Sequence, residues 1–276
     1  MYKILEKITT DDIEIVESKN EIQILSGRAK VGFVLQEKIT LPLEEVGDQI
    51  GWKKIPEKFM DALKFTVFSC SKDASHPALT CINVNSNGNI EASDDLRITR
   101  YKVGTVPTST FLIPASSVNE LVKYDCTHIS EGRGWVHFKT KEGTVFSCRV
   151  FEDTFPDITK LLVVNGPQLK LPKTIDEILE RASIFSKKSR ALEGEEVTVS
   201  LKANRVTIRA DGESGWFEEE ANMGYSLEPV SFSINPILLK DIIEEIRACT
   251  LGKNSIRFEG ENWEHIISLY AKEAKK

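Results

Sequence analysis

Four amphipathic helix candidates recur at a near-constant interval, and this spacing constrains the fold more than any other feature of the chain. The first runs from Ile55 to Ser69, with Ile55, Phe59, Ala62, Leu63 and Thr66 on its apolar stripe. The second is capped by Ser117, with Glu120 closing a capping box, and buries Val118, Leu121 and Val122. The third is capped by Thr174 and Glu177 and carries Ile175, Ile178, Leu179, Ala182 and Phe185. The fourth starts at the Asn235 cap with Pro236 in its first turn, and buries Leu238, Ile242, Ile246 and Cys249. Their starts lie near 55, 117, 175 and 236, so the repeat is roughly sixty residues. A shorter candidate, Tyr2 to Ile8, precedes the first.

Between the helices the period changes to two. Asp12–Val16, Glu21–Leu25, Val197–Leu201 and Arg205–Arg209 alternate apolar with polar residues. Asn87-Gly88, Glu142-Gly143, Ala203-Asn204 and Asp211-Gly212 read as turns. The unit is one helix plus about three short strands, repeated as pseudo-symmetric half-domains. That predicts an α+β fold with the helices on one face of antiparallel sheets. An unrelated α+β chain with coincidental spacing is the alternative.

Hydrophobic residues at 41% and charged residues at 28% suit a globular protein with several cores. The first residues contain charges and no signal-peptide core, and no apolar run reaches membrane-spanning length, so the expectation is a cytoplasmic protein without membrane contact. The cysteines at 70, 81, 126, 148 and 249 form no CxxC pair and read as reduced, buried thiols. Cys126-Thr127-His128 offers two metal ligands without a second pair, so no metal site and no cofactor is expected. There is no P-loop, GxSxG or HExxH motif. Gly212-Glu213-Ser214-Gly215 is one residue short of a nucleophile elbow, and the four histidines lack partners at catalytic spacing, so the chain reads as non-catalytic. Asp94-Asp95 reads as a turn rather than a Mg²⁺ site. The net charge of −6 disfavours a protein that coats DNA with its whole surface, but allows one basic face.

Several local motifs, in order, resemble the bacterial DNA polymerase III beta subunit, the sliding clamp. Phe155-Pro156-Asp157-Ile158 resembles the F-P-D/N segment closing that family's middle domain. Glu91 to Ile98 resembles its A-T-D-G-x-R-L strand turn, with Asp95 in place of the turn Gly. Phe111 to Ala115 followed by Asn119-Glu120-Leu121 resembles its V-P-x-x-x-x-E-L helix start. Arg181 to Ser186 resembles R-x-x-I-L-S. Ile208-Arg209-Ala210 followed by Gly215 to Glu219 resembles its strand pair ending in G-x-x-E-E. Ser233 to Pro236 followed by Leu239 resembles G-F-N-x-x-Y-L, and Ser26-Gly27-Arg28 resembles S-G-R. The fit is best from about 52 to 258. The last strand, Ile266 to Tyr270, lacks the family's M-P-x-R-L ending.

The resemblance implies the DNA clamp fold in three parts: 1–51 as the second half of a first domain, 52–163 as a middle domain and 164–276 as a C-terminal domain. It implies a processivity factor that encircles duplex DNA without reading sequence, works with DNA polymerase and a clamp loader, and self-associates head-to-tail. Lys58, Lys64, Lys72, Lys123, Arg181, Lys187, Lys188, Lys240 and Arg247 would face DNA, although acidic neighbours dilute that stripe. Val31 and Phe33 would meet Ile184 and Phe185 at the subunit contact. A partner-peptide groove would draw on Leu79, Ser93, Ile98, Pro156, Lys160, Leu161, Ile266, Ser268 and Leu269. A homologue that binds such peptides without forming a ring, as a decoy or regulator, is the alternative.

Overall fold

The computed structural model describes residues 2–8, 12–35, 46, 50–186 and 195–270. It divides into two compact units, Met1–Val46 and Gly47–Lys276.

In the first unit, the single-turn helix α1 (Tyr2–Leu5) precedes strands β1 (Glu14–Ser18), β2 (Glu21–Ser26) and β3 (Ala29–Val34), an antiparallel meander in the order β1-β2-β3. Ile24 is its one deeply buried apolar residue among those described. Ile15 and Val34 stand 61% and 83% exposed. The β1 alternation therefore sets strand geometry without burying a face.

The second unit opens with β4 (Ile50–Lys54), α2 (Phe59–Thr66), β5 (Cys81–Val84), β6 (Asn89–Ser93), β7 (Arg97–Lys102) and β8 (Phe111–Pro114). It continues with α3 (Ala115–Leu121), β9 (Cys126–Gly132), β10 (Trp135–Thr140), β11 (Val145–Arg149) and β12 (Gln168–Lys170). Then come α4 (Ile175–Ser183), β13 (Val197–Lys202), β14 (Arg205–Gly212), β15 (Gly215–Asn222), β16 (Val230–Ile234), α5 (Pro236–Ile243), β17 (Ala248–Leu251), β18 (Ser255–Glu259) and β19 (Trp263–Ser268). Three antiparallel sheets result: β11-β10-β9-β4, β15-β14-β13-β16, and an eight-stranded sheet ordered β12-β17-β18-β19-β7-β6-β5-β8.

Two apolar cores form on this frame. One gathers Phe59, Leu63, Ile82, Ile113, Val118, Leu121, Ile129 and Phe138, sandwiching α2 and α3 with β5–β8 and β9–β11. The other gathers Ile175, Ile178, Leu179, Val199, Ile208, Ile234, Ile242 and Phe258 around α4 and α5. Fully burying each such side chain contributes roughly 1.5–3 kcal/mol. The eight-stranded sheet joins the cores through the β7–β19 ladder, where Ile98 faces Ile266 and Arg100 faces Glu264. This is the predicted α+β arrangement of helices and antiparallel sheets.

Most of each apolar stripe is buried as read, but Cys249 lies on β17, and Phe185 and Ile246 lie half-buried beyond the ends of α4 and α5. The starts of α2 and α3 and the capping of α4 also differ. Ile55 is extended and α2 begins at Phe59, because Pro56 biases its predecessor away from helical geometry. The residues 67–69 that extend it are 3₁₀. α3 begins at Ala115 after Pro114, so Ser117 lies inside the helix and caps nothing. Thr174 occupies the cap position of α4, but its own φ and ψ are helical and its hydroxyl makes no capping bond. Asn235 caps α5 as read, accepting from the N–H groups of Ile237 and Leu238 at 2.9 and 3.3 Å. The β14–β15 turn falls at Glu213-Ser214, since Gly212 already pairs with Gly215; Asp211 and Gly212 are strand residues. Among the described residues no helix is long and apolar enough to cross a membrane.

Candidate functional site

The β6–β7 turn shows how local chemistry builds the region where the two cores meet. Asp95 adopts a left-handed φ of 70°, a conformation that favours glycine but that Asp tolerates. Asp94 Oδ1 accepts from the N–H groups of Leu96 and Arg97, and its Oδ2 accepts from Arg97 Nε at 2.8 Å. Both carboxylate oxygens are thus spent on the turn. Burial lifts the Asp94 carboxyl above its ordinary pKa, with Arg97 opposing that shift. Arg97 also donates from Nη1 to Asp241 at 2.8 Å and from Nη2 to the Phe68 carbonyl, and its guanidinium lies 5.0 Å over the Phe68 ring. This turn therefore pins α5 to the middle core.

Beside it, Ile98 and Ile266 form a small apolar cluster with Ile158, Leu162 and Val164, against which Phe155 packs. Ser93 pairs with Ile98 in the ladder and donates its hydroxyl to the Arg97 carbonyl at 2.9 Å. The 3₁₀ turn Thr159–Leu162 presents Leu161, 59% exposed, next to Lys160, while Pro156 and Val163 are also exposed. So the structure brings together Ser93, Ile98, Ile266 and the segment carrying Pro156, Lys160 and Leu161. Leu79 is buried in the 3₁₀ turn Pro77–Thr80 and Leu269 packs on the C-terminal core; neither belongs to this cluster. Ser268 donates its N–H to Leu96, and Leu269 lines a separate cleft of about 570 Å³ with Val230, Phe232 and Tyr270. Ile158, Leu162 and Val164 were missed by the sequence reading. Their apolar spacing directly after the Phe155 motif was the available signal.

Of the cations expected to face DNA, Lys187 and Lys188 lie outside the described residues. Five others are engaged by carboxylates: Lys58 with Glu261 at 3.5 Å, Lys123 with Glu120 at 2.7 Å, Arg181 with Glu219 at 2.8 Å, Lys240 with Glu180 at 3.6 Å, and Arg247 with Asp176 at 2.6 Å. Lys64 and Lys72 are exposed and form no ion pair among the described residues. Along α2–α5 and their flanking turns, Glu57, Asp61, Glu120, Asp125, Asp176, Glu177, Glu180, Asp241, Glu244 and Glu245 outnumber the Lys and Arg residues. This balance is that of the described residues and leaves out Lys187 and Lys188, which follow α4 in sequence.

Val31 and Phe33 sit half-buried on β3, an edge strand. Ile184, 68% exposed, follows the last turn of α4, and Phe185 stacks on Phe217 of β15 with ring centroids 6.3 Å apart. β15 is itself an edge strand and carries Glu218, Glu219 and Glu220.

The five cysteines are buried and free; burial pushes the Cys70 and Cys249 thiols up to about 12 and Cys126 to about 11. Thr127 Oγ1 lies 2.9 Å from His128 Nδ1, and no group of three candidate metal ligands occurs among the described residues. His265 is fully buried, with Nδ1 2.7 Å from Thr99 Oγ1, itself 2.6 Å from Ser69 Oγ. This polar row crosses the same β7–β19 seam.

No protein-family model matches the chain, and no curated protein sequence matches it. Solved structures do. The DNA polymerase sliding clamp of Bacillus subtilis superposes with a TM-score of 0.74 at 21% identity, over 98% of this chain and 77% of the other. The DNA polymerase III beta subunit of Pseudomonas aeruginosa gives 0.77 at 17% identity, over 98% and 80%. The sliding clamp of Bartonella birtlesii gives 0.81 at 16%, over 98% and 79%. The chain has the fold of the bacterial DNA polymerase III beta subunit, the sliding clamp.

Proposed function

We propose that this chain is a non-catalytic sliding-clamp subunit that encircles duplex DNA and tethers a DNA polymerase and other replication proteins, with a clamp loader placing it on DNA. The observation that carries this reading is the continuous eight-stranded sheet that joins two helix-backed cores, in a fold shared with sliding clamps over 98% of the chain. The proposed division is a first-domain segment (1–51), a middle domain (52–163) and a C-terminal domain (164–276).

Exposed apolar residues at two strand edges support head-to-tail self-association. The β3 edge offers Val31, Phe33 and Val34 with Lys30, and Arg28 just before it. Beside the β15 edge lie Ile184 and Phe185, while Glu218, Glu219 and Glu220 on β15 are paired with Arg209, Arg181 and Arg205 of the same chain. A heterologous contact of this kind closes into a ring or else builds filaments. The exposed Pro156, Lys160 and Leu161 around the Ile98–Ile266 cluster are the proposed seat of an apolar partner peptide. Leu79 and Leu269 lie outside this cluster and are not part of the proposed seat.

A second reading, a clamp-fold decoy that binds partner peptides without encircling DNA, is favoured by the carboxylates that engage most of the helical cations. Topology separates the two. A ring stays on nicked circular DNA and leaves once the circle is cut, whereas a decoy shows no such dependence.

A further inference from the structure

Between α2 and α5, where the two cores meet, the helical side opens into a cleft of about 400 Å³. Its apolar walls are aromatic: Phe65, Phe68, Tyr101 and Trp263. Phe65 is the hub, with ring centroids 4.7 Å from Trp263, 5.9 Å from Tyr101 and 5.7 Å from Phe68. Trp263 and Tyr101 face each other across the β7–β19 ladder, so the aromatic surface is fixed by the sheet. Gly260 makes room for it, because a side chain there would meet the Trp263 ring at 2.4 Å.

The rest of the lining is charged. Asp61, Asp241 and Glu245 stand against the single Lys64. Asp241 is already engaged by Arg97, while Asp61 and Glu245 are exposed and form no ion pair among the described residues. Ring faces attract cations, and carboxylates beside them strengthen that attraction. The molecule already contains one instance of this chemistry at the cleft's border: the Arg97 guanidinium lies over Phe68 and is held by Asp241. Next to it, Phe65 and Trp263 with Asp61 and Glu245 repeat the same pairing of ring and carboxylate, with no guanidinium over these rings among the described residues.

We propose that this cleft binds an arginine side chain presented by a partner polypeptide. The methylenes would lie on Phe65 and Trp263 while the guanidinium reaches Asp61 and Glu245. A purely apolar side chain would leave those carboxylates desolvated and unpaired. A bare metal ion is not served, since no three carboxylates in the described residues converge at ligand spacing. The site lies apart from the Leu161 groove.

The test uses the full chain in ¹H–¹⁵N spectra, with the Trp263 indole assigned by Trp263→Phe. Titration with the peptide acetyl-Ala-Arg-Ala-amide should shift that indole saturably, with a Kd on the order of millimolar. The same peptide with citrulline, neutral but of similar shape, should not. Asp61→Asn with Glu245→Gln, both at exposed positions, should weaken binding roughly fivefold or more. Equal shifts with citrulline, or an unchanged Kd in the double variant, would overturn the proposal. So would saturation by spermidine at lower concentration than the peptide, which would assign the cleft to a free polyamine.

Discussion

Arg100 on β7 stands directly opposite Glu264 on β19, and together they carry a polar row across the seam between the two cores. Arg100 donates from Nε to Glu91 Oε1 at 2.7 Å, and Glu91 accepts from Asn83 Nδ2 at 2.9 Å. On the other side, Glu264 accepts from Arg257 Nη2 at 2.9 Å. The row Asn83–Glu91–Arg100–Glu264–Arg257 thus spans five neighbouring strands with alternating charge. Its central side chains are only 6–13% exposed.

Removing the middle of that row leaves two nearly buried carboxylates under-compensated. Arg100→Ala should destabilise the chain by about 3 kcal/mol in urea denaturation, because breaking a buried pair strands its partners. Arg205→Ala breaks an exposed pair with Glu220 and should cost less than about 1 kcal/mol. Equal losses in the two variants would refute the structural role given to the row.

His265 supplies a pH dependence at the same seam. Burial, with a contribution from Arg97, pulls its pKa from the ordinary 6.5 to about 3. The native state therefore holds it neutral, while the unfolded chain takes up a proton below about 6.5. Stability is fully present above that pH and is lost as pH falls toward about 3. Between pH 7 and pH 5 the wild type should lose about 2 kcal/mol more than His265→Gln. Parallel losses in urea titrations of both proteins would contradict this.

The carboxylates that engage the helical cations predict weak duplex binding that can be improved by neutralising them. Glu120→Gln with Glu180→Gln releases Lys123 and Lys240 from their carboxylates. In fluorescence anisotropy with duplex DNA, the variant should bind more tightly, and its salt dependence should steepen by up to about 0.9 log units per freed lysine. An unchanged slope would mean that these faces do not meet phosphate.

How much of this was legible depended on how far apart in sequence the interacting residues lie. The Asn235 cap and the alternating strands from Val197 and Arg205 are local signals, and they translated directly into α5, β13 and β14. The starts of α2 and α3 were misplaced because prolines at 56 and 114, not the nearby polar side chains, decide where those helices begin. The charge balance of the helical face was only half legible. Lys123 and Glu120 share a helix turn, but Arg181 meets Glu219 from β15, and Lys58 meets Glu261 from the β18–β19 turn. Nothing local announces pairs formed through the tertiary fold. The same holds for the aromatic cleft, whose Phe65 and Trp263 come from α2 and β19, far apart in sequence but packed on one core.

Self-association has its own test. Ile184 is 68% exposed, so Ile184→Glu should leave the melting temperature nearly unchanged. It should weaken the subunit contact more than about tenfold in sedimentation velocity, the loss expected for one buried isoleucine. A wild type that sediments only as monomer at micromolar concentration would contradict the head-to-tail contact.

The most direct measurement of the clamp reading is gel filtration with nicked circular plasmid, a bacterial clamp loader and ATP, before and after the circle is cut by a restriction enzyme. The account predicts that the protein co-elutes with the circle in moderate salt and is released on linearisation. Equal retention on circular and linear DNA, or no retention on either, would contradict it.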